Sequence, residues 1–184
     1  MIEKIKKDEL LQKIIALSNG INVYLVGGCI RDFILGKENF DKDIIADCEN
    51  VSLYAQNLAN AIDATFITLD EENKIYRLVL KDKINYIDVA AIIGKNIYED
   101  LKRRDFTINS IAANLHNLEI LDINNGISDL QNRIIRSISD KNLNDDPLRL
   151  LRAYRFQANL GFVIDPPLRR ILERDYKKIG RAHV

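Results

Sequence analysis

The sequence predicts an α+β fold: a mixed helix-and-strand part over residues 1–138, followed by a helical part over 139–184. Two patterns predict this division. Up to residue 138, short apolar runs rich in β-branched and aromatic residues alternate with stretches of helical spacing. From residue 145 onward the apolar residues recur at helical spacing only. The composition supports a packed core, with 47% hydrophobic and 29% charged residues in 184. It excludes a disordered tail, a collagen-like repeat and a small disulfide scaffold. Lys+Arg and Asp+Glu are both 27, which excludes a strongly basic nucleic-acid protein on the whole-chain number. The charge is uneven, however. Residues 141–184 hold ten basic and five acidic side chains, against 17 and 22 in residues 1–140. Such asymmetry marks either a polyanion-binding face or a solvated helix surface. Cys29 and Cys48 lie in apolar surroundings and read as reduced core thiols. With no apolar signal core near Met1 and no apolar run of membrane length, a cytoplasmic protein is expected.

Each element has its own signal. Residues 9–17 carry Leu10, Leu11, Ile14 and Ile15 at helical spacing, closed by Asn19-Gly20. Residues 21–26 read as a buried strand, broken by Gly27-Gly28. Residues 29–35 read as a helix with Gly36 past its end. A strand follows over 41–46, then a helix over 52–61 with Ser52 as its cap. Three strands are expected at 65–69, 75–80 and 84–90, the last two joined by a turn at 81–83. Residues 105–115 show an apolar stripe (Ile108, Ile111, Ala112) and read as a helix. Short strands are expected at 119–123 and 134–138. Asp146 and Pro147 suit the cap and first position of a helix ended by Gly161. A last helix runs from 165 to about 178.

The sharpest chemical signal is Leu25-Val26-Gly27-Gly28-Cys29-Ile30-Arg31-Asp32, followed by Asp41-Lys42-Asp43. Gly-Gly between strand and helix lets backbone N–H groups approach a phosphate at the helix N-terminus. Arg31, one turn in, can pair with the same phosphate. Asp41 and Asp43 are two apart on a strand, so both face one way. Carboxylates side by side repel, and Mg²⁺ relieves that repulsion with hard oxygen ligands. Taken alone, the pair fits an exposed strand face equally well. Asp88 sits in a strand whose other residues are mostly apolar, and it needs a partner. That partner is either the same metal or a salt bridge at the strand end.

Two further clusters are basic. In Lys102-Arg103-Arg104-Asp105-Phe106-Thr107-Ile108-Asn109, Arg104 can hold a triphosphate and Asn109 a sugar hydroxyl; the alternative is a solvated basic turn. In residues 145–156, Arg149, Arg152 and Arg155 recur every third residue and band one side of a helix, with Asp146 at its start. A carboxylate beside a guanidinium can read a Watson–Crick edge. Adenine and cytosine both offer an amino donor beside a ring-nitrogen acceptor. Guanine and uracil offer the reverse order and leave like groups facing. Such a pair accepts ATP and CTP. The alternative is an arginine side that pairs with the acidic first part.

These motifs together resemble the class II tRNA nucleotidyltransferase and bacterial poly(A) polymerase family. The resemblance runs from Val23 to Phe162: LVGGCIRDFILG with DKDI, then RRDFTINSIA, ILDINNGISDLQNRIIRSI and DDPLRLLRAYRFQANLGF. It implies a nucleotidyltransferase head (1–138), a mixed and largely antiparallel sheet with flanking helices, and an incomplete helical neck (139–184). It implies that Asp41 and Asp43 bind catalytic Mg²⁺, with Asp88 at the third acidic position. It assigns Gly27, Gly28, Arg31 and Arg104 to the triphosphate and sugar, with Asn109 beside them. Asp146 and Arg149 fall on the base, with Arg152 and Arg155 lining the same pocket. The segment 122–126 is read as structural support linking head and neck. The implied reaction adds C, A or both to a tRNA 3′ end. Poly(A) synthesis is the alternative enzyme reading, and a truncated nucleotide- or RNA-binding module the alternative outside catalysis. His116 and His183 lie outside every motif and receive no role.

Three departures from the family pattern stand out. Asp145 replaces the usual Glu. The stretch 90–100 is much shorter than in CCA-adding members, where a flexible loop accompanies the switch from C to A, so it resembles the CC-adding branch. The sequence also stops before the helical domains with which family members grip tRNA. Nucleotide binding with weak RNA affinity and low turnover on tRNA is therefore expected.

Overall fold

A computed structural model describes residues 1–37 and 41–179. The chain falls into two compact units, residues 1–100 with 112–121, and residues 101–111 with 122–184. The expected ending 180–184, His183 included, lies outside the described residues.

In the first unit, α1 (Ile2–Lys7) and α2 (Glu9–Leu17) are followed by β1 (Asn22–Val26), α3 (Gly27–Ile34), β2 (Asp41–Asp47) and α4 (Val51–Ile62). Then come β3 (Thr65–Asp70), β4 (Ile75–Val79), β5 (Tyr86–Ala91), α5 (Ile97–Lys102), β6 (Ala112–Asn114) and β7 (Ile120–Leu121). The division between the units falls within α5. Among the described residues the strands form one seven-stranded sheet in the order β3-β4-β5-β2-β1-β6-β7. Only the β2–β5 pair is parallel, so the sheet is mixed and largely antiparallel, as expected.

Period-2 alternation gives the sheet two different faces. Tyr76, Leu78, Ile87, Val89 and Ile44 are buried on one. Arg77, Tyr86, Asp88, Asp41 and Asp43 take the other, as the pairings Asp43↔Asp88, Arg77↔Asp88 and Asp41↔Tyr86 require. Lys42 is the exception on the apolar face. It is buried, with its ammonium 3.2 Å from Asp8 Oδ2 and 5.5 Å from the Phe33 ring centre. A buried ammonium persists only with such compensation.

The caps follow simple chemistry. Asp8 accepts a hydrogen bond from Leu11 N (3.0 Å) and starts α2. Asn50, not Ser52, caps α4 through Leu53 N (2.9 Å). The reason is the stripe Val51, Tyr54, Ala55, Leu58, which is buried and needs Val51 inside the helix.

The second unit contains a single 3-10 turn (Thr107–Asn109), α6 (Gly126–Gln131), β8 (Ile134–Ile135), α7 (Asp140–Asp145), α8 (Leu148–Leu160), β9 (Val163–Ile164) and α9 (Pro166–Ile179). β8 and β9 pair in parallel. Phe106 is fully buried and meets Phe156 edge to face at 5.7 Å. Asp146 Oδ1 accepts from Leu148 N at 2.9 Å, but the cap position of α8 falls on Pro147, one residue later than expected, and Gly161 ends the helix at φ +68°. Asp122 accepts from Gly126 N (2.6 Å) and Ile127 N (2.9 Å), so the segment 122–126 serves as the start of α6.

The expected helix over 105–115 is not formed. Asp105 Oδ1 accepts from Phe106 N and from Asn109 Nδ2, Ser110 Oγ donates to Thr107 O, and residues 112–114 pair with β1 as β6. Every residue from 105 to 115 is buried, so the stripe at Ile108 and Ile111 never faced a single side. Asp, Thr, Asn and Ser side chains offered the backbone local partners that compete with a helix. The expected strands at 119–123 and 134–138 shrink to two-residue pairings, with an isolated bridge Phe106↔Ser137.

Arg136 ties this unit together. It grips Asp129 with Nε (3.1 Å) and Nη2 (3.2 Å), and Asp165 with Nη1 (3.1 Å). Both carboxylates are nearly inaccessible, at 5% and 6% exposure. Arg136→Met strands two buried charges, so a loss of about 3 kcal/mol in a urea melt is expected. Adding Asp129→Asn should restore part of it; no loss in the single variant would contradict the pairing.

Candidate functional site

The first unit presents the paired carboxylates. β1 feeds Val26 into Gly27, at φ +66°, and α3 starts there. Val26 pairs with Asp43, which sets the glycine turn beside that carboxylate. A Cβ on Gly28 would lie 3.5 Å from Arg31 Nη2 and 3.8 Å from Asp43 Oδ2. Glycine therefore keeps open the space that Arg31 and Asp43 share, and α3 aims its N-terminal N–H groups from the same turn. Arg31 also bonds Asp32 at 2.9 Å, which fixes its guanidinium.

Asp41 and Asp43 lie on one face of β2, half-buried, as their spacing predicted. Asp88 is beside Asp43 on β5, and its partner is Arg77: Nε to Oδ1 at 2.7 Å and Nη2 to Oδ2 at 2.8 Å. The Arg77 guanidinium stacks 3.9 Å from the Tyr86 ring centre. Hydrogen bonding to the Asp41 carboxylate, with burial, pushes the Tyr86 phenol up to about 12. Among the described residues no three His, Cys, Asp or Glu side chains converge as a metal cage. Two hard carboxylates still fit a divalent ion, because Mg²⁺ is usually held by one or two carboxylates plus substrate phosphates. Burial pushes the Cys29 thiol up to about 12 and raises Cys48, so both remain protonated, unreactive thiols.

The second unit gathers the other expected residues. Arg149 Nη1 donates to Arg103 O and Asn142 O, both at 2.9 Å, and its Nε lies 3.9 Å from Asp146 Oδ2. The guanidinium and carboxylate thus stand side by side. Asn142 is buried and donates to Lys102 O and Arg104 O at 2.7 Å. Arg104 Nη1 donates to Asn109 O at 3.3 Å. Asn109 is buried with its amide on Asp105 (3.1 Å). Arg152 Nε donates to Asp105 Oδ2 at 2.7 Å, so it anchors the 105–109 segment to α8. Arg155 is exposed, 5.5 Å from the Phe156 ring centre.

Sequence reasoning missed Arg77, Tyr86, Asn142 and the anchoring role of Asp105. Arg77 had only a partial signal: the observed register reflects about the loop 81–84 and sets Arg77 opposite Asp88, whereas a three-residue turn at 81–83 would set Tyr76 there. Asn142 had none beyond its polarity.

In the first unit a strand thus runs through Gly-Gly into a helix, beside a strand with paired aspartates. Residues 23–136 match the family described as the poly A polymerase head domain, and the chain belongs to that family. It is 39% identical over 150 residues to the CC-adding tRNA nucleotidyltransferase of Synechocystis sp., covering 80% of this chain and 35% of that protein. A solved complex of a CCA-adding enzyme with CTP matches at TM-score 0.84 and 28% identity, covering 96% of this chain and 45% of that one. The Thermotoga maritima CCA-adding enzyme complexed with tRNA matches at 0.82 and 29%, with 96% and 45% covered. The chain thus spans about a third of that curated relative's length. Nucleotidyltransferases of this family generally use a divalent metal. Among the described residues no helix is long and apolar enough to cross a membrane.

Proposed function

We propose that the chain is the catalytic part of a template-independent RNA nucleotidyltransferase, adding C, A or both to tRNA 3′ ends in the cytoplasm. The observation that carries this reading is the pair Asp41 and Asp43 on one face of β2, beside the glycine-opened start of α3. Asp41 and Asp43 would hold Mg²⁺, with Asp88 at the third acidic position. When bound, the metal supplies charge neutralisation and a more acidic attacking hydroxyl. The protein's own residues do the rest. N–H groups of Gly27 and Gly28 and the Arg31 guanidinium bind phosphate oxygens; Arg104 takes the triphosphate and Asn109 the sugar. The RNA 3′-oxygen forms a bond to the α-phosphorus as the bond to pyrophosphate breaks. The hydroxyl proton passes to solvent, since positioning and electrostatics dominate such transfers.

Asp146 and Arg149 read the base, the carboxylate accepting from the amino group and the guanidinium donating to the ring nitrogen. Arg152 acts from behind by fixing Asp105, and Arg155 lies along the same helix. The assay uses excess tRNA lacking its 3′ end and each labelled triphosphate. G and U should enter at under about a hundredth of the C rate, and Arg149→Ala should erase that gap by lowering C addition about 100-fold. Comparable entry of all four bases in the parent would sink the base-reading pair. A long homopolymer of A would instead favour poly(A) synthesis.

One observation sharpens the choice between C and A. The link between β5 and α5 is only residues 92–96, and it is tied down. Asp100 Oδ2 accepts from Ile93 N (3.1 Å), Glu99 Oε2 from Lys95 N (2.9 Å), and Asn96 caps Glu99 N (3.1 Å). A short, bonded link has little freedom to remodel a base pocket between two substrates. This favours addition of C alone.

A further inference from the structure

We propose that Arg77 sets how many carboxylates a cation meets at the paired aspartates, by taking Asp88 out of the ligand set and bracing Asp41 through Tyr86. This rests on the reading that Asp41 and Asp43 hold the metal.

Three carboxylates lie across neighbouring strands on one face: Asp41 and Asp43 on β2, and Asp88 level with Asp43 on β5. Left to themselves they repel. Arg77, level with Asp88 on β4, engages both its oxygens in a fork, at 2.7 and 2.8 Å. A bidentate guanidinium fixes the carboxylate's plane as well as its charge, which a lysine cannot copy. The same guanidinium lies 3.9 Å above the Tyr86 ring, and the Tyr86 hydroxyl donates to Asp41. One side chain thus reaches two of the three carboxylates. It withdraws the first directly and orients the second through a stacked ring. A cation there meets Asp41 and Asp43 in fixed geometry instead of three carboxylates in competition.

The test is Mn²⁺ binding to the nucleotide-free chain, followed by the electron paramagnetic resonance of the unbound ion. Arg77→Met releases Asp88 and should tighten binding about ten-fold. Asp88→Asn should leave it within about two-fold, because that carboxylate is already engaged. The double variant should return to the parent value, and Arg77→Lys should fall between. Asp43→Asn should weaken binding by at least about ten-fold. If Asp88→Asn weakens binding as much as Asp43→Asn does, Asp88 is a ligand and the proposal fails; this variant decides even if Arg77→Met does not fold. Unchanged binding in a folded Arg77→Met also overturns it. Unchanged binding in Asp43→Asn would instead remove the underlying reading of the aspartate pair.

Discussion

Asp43→Asn lowers the single-turnover rate of C addition by about 10³-fold, equivalent to about 4 kcal/mol of transition-state stabilisation. The size follows from where Asp43 sits. It lies level with Val26 at the glycine turn and within reach of the space Gly28 leaves open, so its charge bears on the phosphate under attack. Asparagine keeps the shape and loses the anion. The informative result is a lost rate in a protein whose circular-dichroism spectrum shows it folded. A rate within ten-fold of the parent would remove the paired-carboxylate mechanism.

Gly126→Ala destabilises the chain by about 3–5 kcal/mol, although the change is one methyl group. A Cβ at this position would overlap the Thr107 carbonyl oxygen and lie 2.9 Å from Ile111 Cγ1. That carbonyl cannot yield cheaply, since it accepts from Ser110 N and Ser110 Oγ. The damage should spread to the base-reading groups, because the 103–109 segment supports Arg149 and Arg152. Urea denaturation gives the cost, and nucleotide discrimination should fall with it. Gly161→Ala serves as the comparison. Its φ is +68° but nothing lies within 4 Å, so only the backbone penalty of about 1 kcal/mol applies. Equal effects at both glycines would refute the packing argument.

Local chemistry made much of this protein legible in its sequence. The spacing of Asp41 and Asp43 gave their common face. The pattern from Asp146 to Gly161 gave α8 with its C-terminal end, and its start to within one residue. What stayed hidden depended on distant partners. The anchoring role of Asp105 stayed hidden because its partner, Arg152, is 47 residues away and nothing nearby announces it. The segment 105–115 carried helical spacing, yet periodicity says nothing once a stretch is buried all round. α6 is six residues long and is started by Asp122, four positions upstream of its first residue, so no ordinary cap signal marked it. Asp88 lay between. Its need for a partner was readable, but a turn at 81–83 sets Tyr76 opposite it, and only the four-residue loop 81–84 brings Arg77 level with it.

The alternation Asp41-Lys42-Asp43 has a consequence for assembly. One backbone separates an anionic front from a cationic back, where Lys42 lies against Asp8 and Phe33. Sliding β2 by one position against its neighbours would turn the ammonium outward and drive two acids into oil. Mispaired intermediates are thereby penalised on both sides at once. The two acids that equip the strand for chemistry, with the lysine between them, also proofread its alignment.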